Sequence, residues 1–299
     1  MHEFAEYTIA NDRLQVRISS CGAEPQSIVC DGLERLWCAD PAVWDKHAPL
    51  LFPLIGRLRD GRYLLEGQPV DAPRHGFCRQ RAFTAQQVSP SCVRFTTQDD
   101  ASTKQVFPFS FQLTVEYSLQ GNSIQKRHIV SNTGATGSAA MPFELGGHEA
   151  YAICLGPSDT SADWYLQFAP DARLQAFGMD DQGILTLPKQ DLPLDGGRLQ
   201  QFPQQLGLDT VVVENVPGST VTLACNANPH TLTVDFPDFP YLGIWTAYPV
   251  DNPRYLCVEP WSALPDGHFM SRELAEKPGV ISVQPGQHVE LTYRMTFGA

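Results

Sequence analysis

Apolar side chains occupy every second position in several segments of this chain, which is the period of a β-strand that buries one face. The clearest runs cover residues 14–18, 109–117 and 220–224. Turn-forming residues lie beside them, at Asn11-Asp12 before what we take as the first strand of the chain, at 120–122 and at Pro217-Gly218. The pattern therefore predicts antiparallel strands joined by short turns.

Glycine and proline interrupt the chain too often for long helices. The 23 glycines and 24 prolines are spread evenly, so the pattern predicts an all-β protein. We find no linker, composition shift or internal repeat, and we expect residues 1–299 to form a single domain. Its size favours a large sandwich of two big antiparallel sheets over a propeller, which repeats would signal. Residues 159–205 are the least regular and predict loops and short strands at one rim.

Composition and charge exclude several classes of function. A hydrophobic content of 42% is typical of a packed globular protein and excludes intrinsic disorder. The net charge of −12 disfavours binding to nucleic acid or to an anionic membrane surface. The apolar stretch 50–55 is too short to span a bilayer, and the first residues lack the apolar segment of a signal peptide. We expect a soluble, cytoplasmic protein that is a monomer or a weak dimer.

Common cofactor and metal motifs are absent from the sequence. The eight cysteines are scattered, with no C-x-x-C pair, and we interpret them as reduced and mostly buried thiols. Neither H-E-x-x-H nor clustered Cys/His spacing occurs, so no metal site is predicted. The glycine patterns of dinucleotide, P-loop and serine-hydrolase sites are missing as well, and no cofactor is expected.

Three short stretches place ionisable side chains among apolar residues, glycine or proline: residues 74–79, 146–151 and 255–261. In the last, Glu259 follows an apolar run, and burial there would raise its pKa and suit it to act as a general base. His148 follows two glycines and can exchange a proton near neutral pH. Taken singly, a paired strand-end glutamate and a histidine bonded to a backbone carbonyl are the commoner explanations.

Four further residues are candidate ligand contacts. His75 is flanked by Arg74 and a glycine and can be a turn residue, a sugar or anion contact, or a proton carrier. Arg57 ends an apolar segment and suits an oxygen-rich ligand, although it can also cap a buried strand. Asp209 can bind hydroxyls or form a turn. Trp245 is the candidate for stacking on a sugar ring, with other aromatics in the same regions (Trp164, Tyr241, Tyr248 and Trp261).

The order of these stretches resembles the aldose 1-epimerase (galactose mutarotase-like) superfamily. The stretches that carry the resemblance are FPLIGR ending at Arg57, HGFCR from His75, VSNTG, MPFELGGHEAY around His148, LGLDT, LGIWT, CVEPW around Glu259 and a final PGQ. The resemblance covers residues 8–296, and its details are most similar to the subgroup called LacX-like. Each stretch is weak by itself, and their shared order makes chance agreement improbable.

The resemblance implies a β-supersandwich whose concave face binds a sugar. It implies that Glu259 is the general base, that His148 is the general acid and that His75 is a second histidine at the sugar ring. For proton exchange at neutral pH we expect a raised pKa for Glu259 and a pKa near the ordinary value of about 6.5 for His148. Arg57 and Asp209 match positions that hold sugar hydroxyls. The implied reaction interconverts the α and β anomers of a hexose by opening and closing its ring, without cofactor or metal.

Two departures leave alternatives open. Glu149 follows His148 where the family more often has proline, and it can raise the pKa of the acid or bind a hydroxyl. Related hexose-6-phosphate 1-epimerases resemble this chain at HGFCR and use arginines to hold the phosphate. The corresponding group here would comprise Arg59, Arg74, Arg79 and Arg81. A carbohydrate-binding protein without catalytic activity is the third possibility.

Overall fold

The computed structural model describes residues 4–156, 159–247 and 253–298. The strands in these ranges run in chain order as β1 Glu6–Ala10, β2 Leu14–Ser19, β3 Pro25–Cys30, β4 Leu33–Glu34, β5 Leu50–Leu51, β6 Arg62–Leu65, β7 Gln68–Asp71, β8 Thr84–Ser89, β9 Cys92–Gln98, β10 Phe111–Gln120, β11 Ser123–Asn132, β12 Met141–Phe143, β13 Gly146–Gly147, β14 Ala150–Ala152, β15 Trp164–Gln167, β16 Gln175–Met179, β17 Leu185–Asp191, β18 Arg198–Leu199, β19 Thr210–Glu214, β20 Thr220–Cys225, β21 Thr231–Asp235, β22 Tyr241–Trp245, β23 Tyr255–Trp261, β24 Ile281–Val283 and β25 His288–Gly298.

Helical structure in the described residues is limited to single 3₁₀ turns. They are Arg59–Gly61, Cys78–Gln80, Thr103–Gln105, Ser161–Asp163, Pro203–Leu206, Pro217–Ser219 and Leu274–Glu276. No helix in these ranges is long and apolar enough to cross a membrane. The protein is all-β, as the spacing of glycine and proline predicts.

Two large antiparallel sheets dominate the architecture. One has nine strands in the order β18-β15-β20-β21-β25-β11-β10-β9-β8. The other has six, in the order β19-β22-β23-β13-β5, with β14 also paired to β23. A four-stranded sheet, β1-β2-β3-β4, and the pairs β6-β7, β12-β24 and β16-β17 complete the described part of the fold. The predicted sandwich of large antiparallel sheets is confirmed.

Apolar side chains of both large sheets share one core. Phe111, Leu113 and Val115 of β10 belong to the same buried cluster as Leu256 and Val258 of β23. The inward residues of β10 are those of the predicted alternating run, because in-out alternation along a strand puts them on one face. The sequence prediction places the start of this strand two residues early, since Phe109 precedes it.

The turns and the irregular region differ in part from expectation. Asn11-Asp12 does not precede the first strand, because β1 comes before it and the dipeptide joins β1 to β2. Residues 159–205 hold the short strands β15 to β18, as expected, but β15 and β18 extend the nine-stranded sheet and only β16 and β17 form a separate hairpin. All eight cysteines are free thiols. Only Cys30, Cys78 and Cys257 are buried, so the expectation of mostly buried thiols is wrong.

Candidate functional site

A cleft of about 560 Å³ opens beside the six-stranded sheet. The three stretches that sequence analysis singled out meet there, although they lie far apart in the chain. Its lining in the described residues is Gly56, Arg57, Arg74, His75, His148, Met179, Asp180, Asp181, Gln182, Gly183, Gly207, Asp209, Thr210, Trp245, Glu259, Trp261 and Pro265.

The two-residue period of β23 directs Glu259 to the cleft. Leu256 and Val258 point into the main core, whereas Glu259 and Trp261 line the cleft on the opposite face. All seven residues of the strand are nevertheless buried, and the Glu259 residue is only 1% exposed. A carboxylate this inaccessible to water is poorly solvated, so its pKa rises.

Glu259 and His148 form the centre of the site. Oε1 of Glu259 lies 3.4 Å from Nδ1 of His148. Among the described residues, neither this Nδ1 nor Oε2 of Glu259 has a hydrogen-bond partner. Burial raises the pKa of Glu259 well above its ordinary value, although the positive charge of Arg74 opposes the shift. These two buried atoms remain available for proton exchange with a ligand.

The expected pKa of His148 near 6.5 is wrong. Burial lowers the pKa of His148 to about 3, and the nearby charge of Arg74 acts in the same direction. When the pair holds one proton, these two shifts place that proton on Glu259. Because the two groups are coupled, their titration belongs to the pair rather than to either residue.

Aromatic rings hold the imidazole of His148 in place. Trp44 stacks on it with 5.1 Å between ring centroids, and the edges of Trp245 and His75 face it at 5.5 and 5.6 Å. A Cβ at Gly147 would lie 2.2 Å from the hydroxyl of Tyr293, so only glycine fits before His148. Sequence reasoning missed Trp44, because it lies in a loop without alternation or any other signal of a site.

His75 adopts a backbone conformation that is rare for a side-chain-bearing residue. Its φ is +63°, and a Cβ at the following Gly76 would lie 2.2 Å from the carbonyl oxygen of Phe52. Burial, reinforced by the neighbouring His148, lowers the pKa of His75 well below its ordinary value, so the ring is neutral. The NH of Gly56 lies 3.1 Å from Nδ1 of His75 and Nε of Arg74 lies 3.0 Å from Nε2. A neutral imidazole accepts only one of these two hydrogen bonds. His75 is thus fixed beside His148, and strain of this kind is typical of functional sites.

Charged side chains of both signs line the outer part of the cleft. Arg57, Arg74 and Asp209 all contribute to the lining. Trp245 is half-buried beside them, so a flat apolar face adjoins polar groups. The arrangement suits a ligand with several hydroxyl groups, because a sugar presents both an apolar ring face and many hydrogen-bonding oxygens.

The predicted arginine group is not assembled. Arg79 does not line the cleft, although its charge helps to lower the pKa of His148. Arg81 pairs with Asp100, and Arg59 forms a two-pronged pair with Asp266. Carboxylates hold Arg59 and Arg81, and only Arg74 of the four lines the cleft.

Glu149 faces away from the cleft. Its Oε1 accepts hydrogen bonds from Nζ of Lys126 at 2.7 Å and from the hydroxyl of Tyr293 at 2.5 Å, inside the sandwich. Successive residues of an extended chain point to opposite sides, so His148 at the cleft sends Glu149 into the core. The expectation that Glu149 binds a sugar hydroxyl is wrong. Its charge does reach Glu259, where it raises the pKa further.

The other named aromatics have different positions. Trp261 lines the cleft. Trp164 is buried in the nine-stranded sheet and donates a hydrogen bond to Asp159. Tyr241 packs beside Trp261 without lining the cleft, and Tyr248 lies outside the described residues.

One wall of the cleft lies within residues 159–205, which the sequence predicts as loops and short strands at one rim, although none of its residues was a candidate for the site. It comprises residues 179–183, the turn between β16 and β17. The side chain of Asp180 accepts hydrogen bonds from the NH groups of Gln182 and Ile184, which fixes this turn. Gly183 lies against the side chain of Arg57, since a Cβ there would be 3.3 Å from its Cδ. The sequence shows only a turn here, and its position over the cleft depends on tertiary packing.

Comparison with known proteins agrees with this geometry. The sequence profile of the family described as aldose 1-epimerase matches residues 5–154. The chain is 30% identical to the chromosomal protein LacX of Lactococcus lactis over 298 residues. This alignment covers 96% of this chain and 98% of that protein. The chain belongs to the aldose 1-epimerase family. The LacX-like resemblance of the sequence is therefore confirmed.

Solved structures of related proteins share the same fold as this member of the aldose 1-epimerase family. A galactose mutarotase-like protein from Lactobacillus casei is 31% identical, with a TM-score of 0.90 over 98% of this chain and all of that chain. A galactose mutarotase related enzyme from Lactobacillus acidophilus is 28% identical, with a TM-score of 0.91 over 99% of this chain and 98% of that chain. The match extends over almost the whole chain and so includes both large sheets.

Proposed function

We propose that this protein is an aldose 1-epimerase that interconverts the α and β anomers of a hexose. The observation that carries the proposal is the pair of buried proton carriers, Glu259 and His148, with 3.4 Å between Oε1 and Nδ1 at the cleft. Family membership adds support.

The reaction needs one base and one acid. Ring opening removes the proton from the C1 hydroxyl, protonates the ring oxygen and breaks the C1–O5 bond, which leaves an open-chain aldehyde. Rotation about C1–C2 presents the other face of the carbonyl, and the reverse proton transfers close the ring. In our proposal Glu259 takes the hydroxyl proton while His148 protonates the ring oxygen.

A single proton on the pair satisfies both halves of this cycle. With a closed ring bound, the proton belongs on His148 and Glu259 is ionised. With the open-chain sugar bound, the proton has moved to Glu259 and His148 is neutral, which is the distribution that the pKa shifts of the two groups favour. Neither half of the cycle requires a proton from water, which is consistent with burial of both groups.

The surrounding residues have binding roles in this proposal. Arg57 and Asp209 bind hydroxyls at the rim, and Trp245 contacts the apolar face of the sugar ring. His75 is the second histidine at the ring. Arg79 does not line the cleft, so we give it no contact with the sugar. Its positive charge helps to lower the pKa of His148.

A Glu259→Gln variant separates catalysis from binding. We expect polarimetry to show loss of accelerated mutarotation by a factor of about 10² or more, since an amide cannot take the hydroxyl proton. Calorimetry should show that the affinity for glucose or galactose stays within a few-fold. Retained turnover would contradict the role of Glu259, and a wild-type protein that binds sugar without turnover would favour the carbohydrate-binding alternative.

Phosphorylated hexoses are the second candidate substrate class. Arg57 and Arg74 both line the cleft, and no ion pair to either is found in the described residues. Two such guanidinium groups suit a phosphate, although the net charge of −12 opposes an anionic substrate. If glucose 6-phosphate is the substrate, Arg74→Gln should reduce kcat/KM for its anomers far more than for free glucose. Equal effects on both sugars would exclude this candidate.

A further inference from the structure

Three potential metal ligands of different chemistry converge beside the proton-carrier pair. His148, Cys257 and Glu259 each offer one ligand atom, and these nitrogen, sulfur and oxygen atoms lie within 4.8 Å of one another. All three residues are buried, with exposures of 7%, 0% and 1%. We call this set the His-Cys-Glu cluster.

The fold of β23 and its neighbour builds the cluster. Cys257 and Glu259 are two residues apart on β23, so both side chains extend from the same face. β14 pairs with β23 through Ala150 and Cys257, which holds the adjoining His148 against that face. The ligands thus come from a rigid sheet rather than from flexible loops.

Two atoms of the cluster lack the partner that burial normally requires. Nδ1 of His148 and Oε2 of Glu259 are buried, and no hydrogen bond satisfies either one within the described residues. Unsatisfied buried polar atoms are rare because burial removes the water that would otherwise bind them. A cation coordinated by an imidazole nitrogen and a carboxylate oxygen would give these two side chains a charged partner.

We propose that the His-Cys-Glu cluster binds a thiophilic divalent cation of the Zn²⁺ type, and that the bound cation inhibits the epimerase. Thiolate, imidazole and carboxylate are all ligands of Zn²⁺, and three protein ligands leave its fourth position open to the cleft. Inhibition follows because the cation occupies both proton carriers. The binding stands on the cluster alone, whereas the inhibition rests on the proposed function.

Small side-chain rotations are enough to close the site. Zn²⁺ bonds of about 2.0–2.3 Å place tetrahedral ligand atoms roughly 3.3–3.8 Å apart, so the widest separation must contract by about 1 Å. The cation enters through the cleft, which His148 and Glu259 line. On binding, the proton of the Cys257 thiol and any proton on Glu259 are released to solvent.

Cobalt titration of the metal-free full-length protein tests the binding. We expect one equivalent of Co²⁺ to produce a thiolate-to-cobalt charge-transfer band in the near ultraviolet, which Zn²⁺ then abolishes. Cys257→Ala should lose this band. Cys78→Ala removes another fully buried thiol, outside the cluster, and should keep it. A band unchanged in Cys257→Ala, or no band in the wild type, would overturn the site.

Zinc inhibition of mutarotation tests the proposal that the bound cation inhibits the epimerase. Without metal, Cys257→Ala should be as active as the wild type, because the thiol has no part in the proposed proton transfers. It should need roughly tenfold more Zn²⁺ for half-inhibition, the factor that corresponds to about 1.4 kcal/mol of lost affinity. Equal sensitivity of both proteins would overturn inhibition through this cluster. A cobalt band in a protein without mutarotase activity would instead keep the site and refute the proposed function.

Discussion

At the residue scale, burial sets the protonation of the cleft. It raises the pKa of Glu259 and lowers that of His148 to about 3, so one proton is shared over a wide pH range. Among charged neighbours, Arg74 lowers the pKa of Glu259 and Glu149 raises it. The activity should decline where rising pH removes the last proton from the pair.

This account makes a prediction about the pH profile of Glu149→Gln. Removing the negative charge at 149 lowers the pKa of Glu259, so the pair loses its proton earlier. The alkaline limb of kcat/KM should therefore move to lower pH, by on the order of half a unit or more. The profile is measured by polarimetry with a chelator present.

Glu144→Gln is the matched control for that experiment. Glu144 is also fully buried and paired with a lysine, Lys277, but its charge is not among the main influences on the pKa of Glu259. The Glu144→Gln variant should lose about as much free energy of unfolding as Glu149→Gln, but the alkaline limb of its kcat/KM profile should not move. Equal shifts in both variants, or a shift to higher pH in Glu149→Gln, would refute this electrostatic role.

Much of the site could be predicted from single residues. Glu259, His148 and His75 each stand out because an ionisable side chain lies among apolar residues or beside glycine, and all three line the cleft. Trp44 and the wall at 179–183 could not be predicted, because their segments carry no pattern and only packing brings them to the site.

At the element scale, β23 connects the core to the cleft, because both faces of this strand are buried. Leu256 and Val258 pack in the core, while Glu259 and Trp261 lie at the cleft. Glu259 lies two residues before the end of the strand, which agrees with the expectation of a position at or near a strand end. A seven-residue strand that is buried throughout shows no contrast in burial between its faces. Which face of β23 lines the cleft is therefore shown only by the strands that pack around it.

The contact of β22 with Trp261 predicts the effect of Gly243→Ala. A Cβ at Gly243 would lie 2.4 Å from Cζ2 of Trp261, so the indole ring must shift towards the cleft. We expect a loss of about 1–3 kcal/mol in the free energy of unfolding and a higher KM for the sugar. Denaturant unfolding and polarimetry measure the two effects.

Gly121→Asn provides the comparison for that variant. Gly121 lies in the open turn between β10 and β11, with a φ of +59° that asparagine tolerates and no atom within 4 Å of a Cβ. Stability and KM should change little. If Gly243→Ala is as benign as Gly121→Asn, close packing of Trp261 does not shape the cleft.

At the scale of the whole molecule, pairing between distant segments assembles the sandwich. β25 pairs with both β11 and β21, and an isolated bridge joins Cys21 to Ala82. We propose on these grounds that the chain forms a single domain. Local alternation predicted the strands, but the assignment of each strand to a sheet depends on long-range pairing that one sequence does not reveal.

A buried ion pair connects the two large sheets, and it predicts a strong effect of Lys126→Met. Lys126 on β11 binds Glu149, which adjoins β14 of the six-stranded sheet. Removing the cation leaves a buried carboxylate without its charge partner, so we expect a loss of about 3–5 kcal/mol in the free energy of unfolding. Denaturant titration measures it.

The double variant Lys126→Met/Glu149→Gln distinguishes charge from packing. It removes both charges and keeps an acceptor for the hydroxyl of Tyr293, so it should recover most of the stability that the single variant loses. A single variant that loses less than about 1 kcal/mol, or a double variant that is no more stable, would contradict the importance of this pair.

The most direct test of the central claim is polarimetry of freshly dissolved α-glucose and α-galactose, with the metal-free protein and with none. The account predicts that the protein accelerates the approach to anomeric equilibrium for at least one of them and leaves the equilibrium rotation unchanged. A rate equal to the spontaneous one for both sugars, and for the anomers of glucose 6-phosphate, would contradict the proposed epimerase activity.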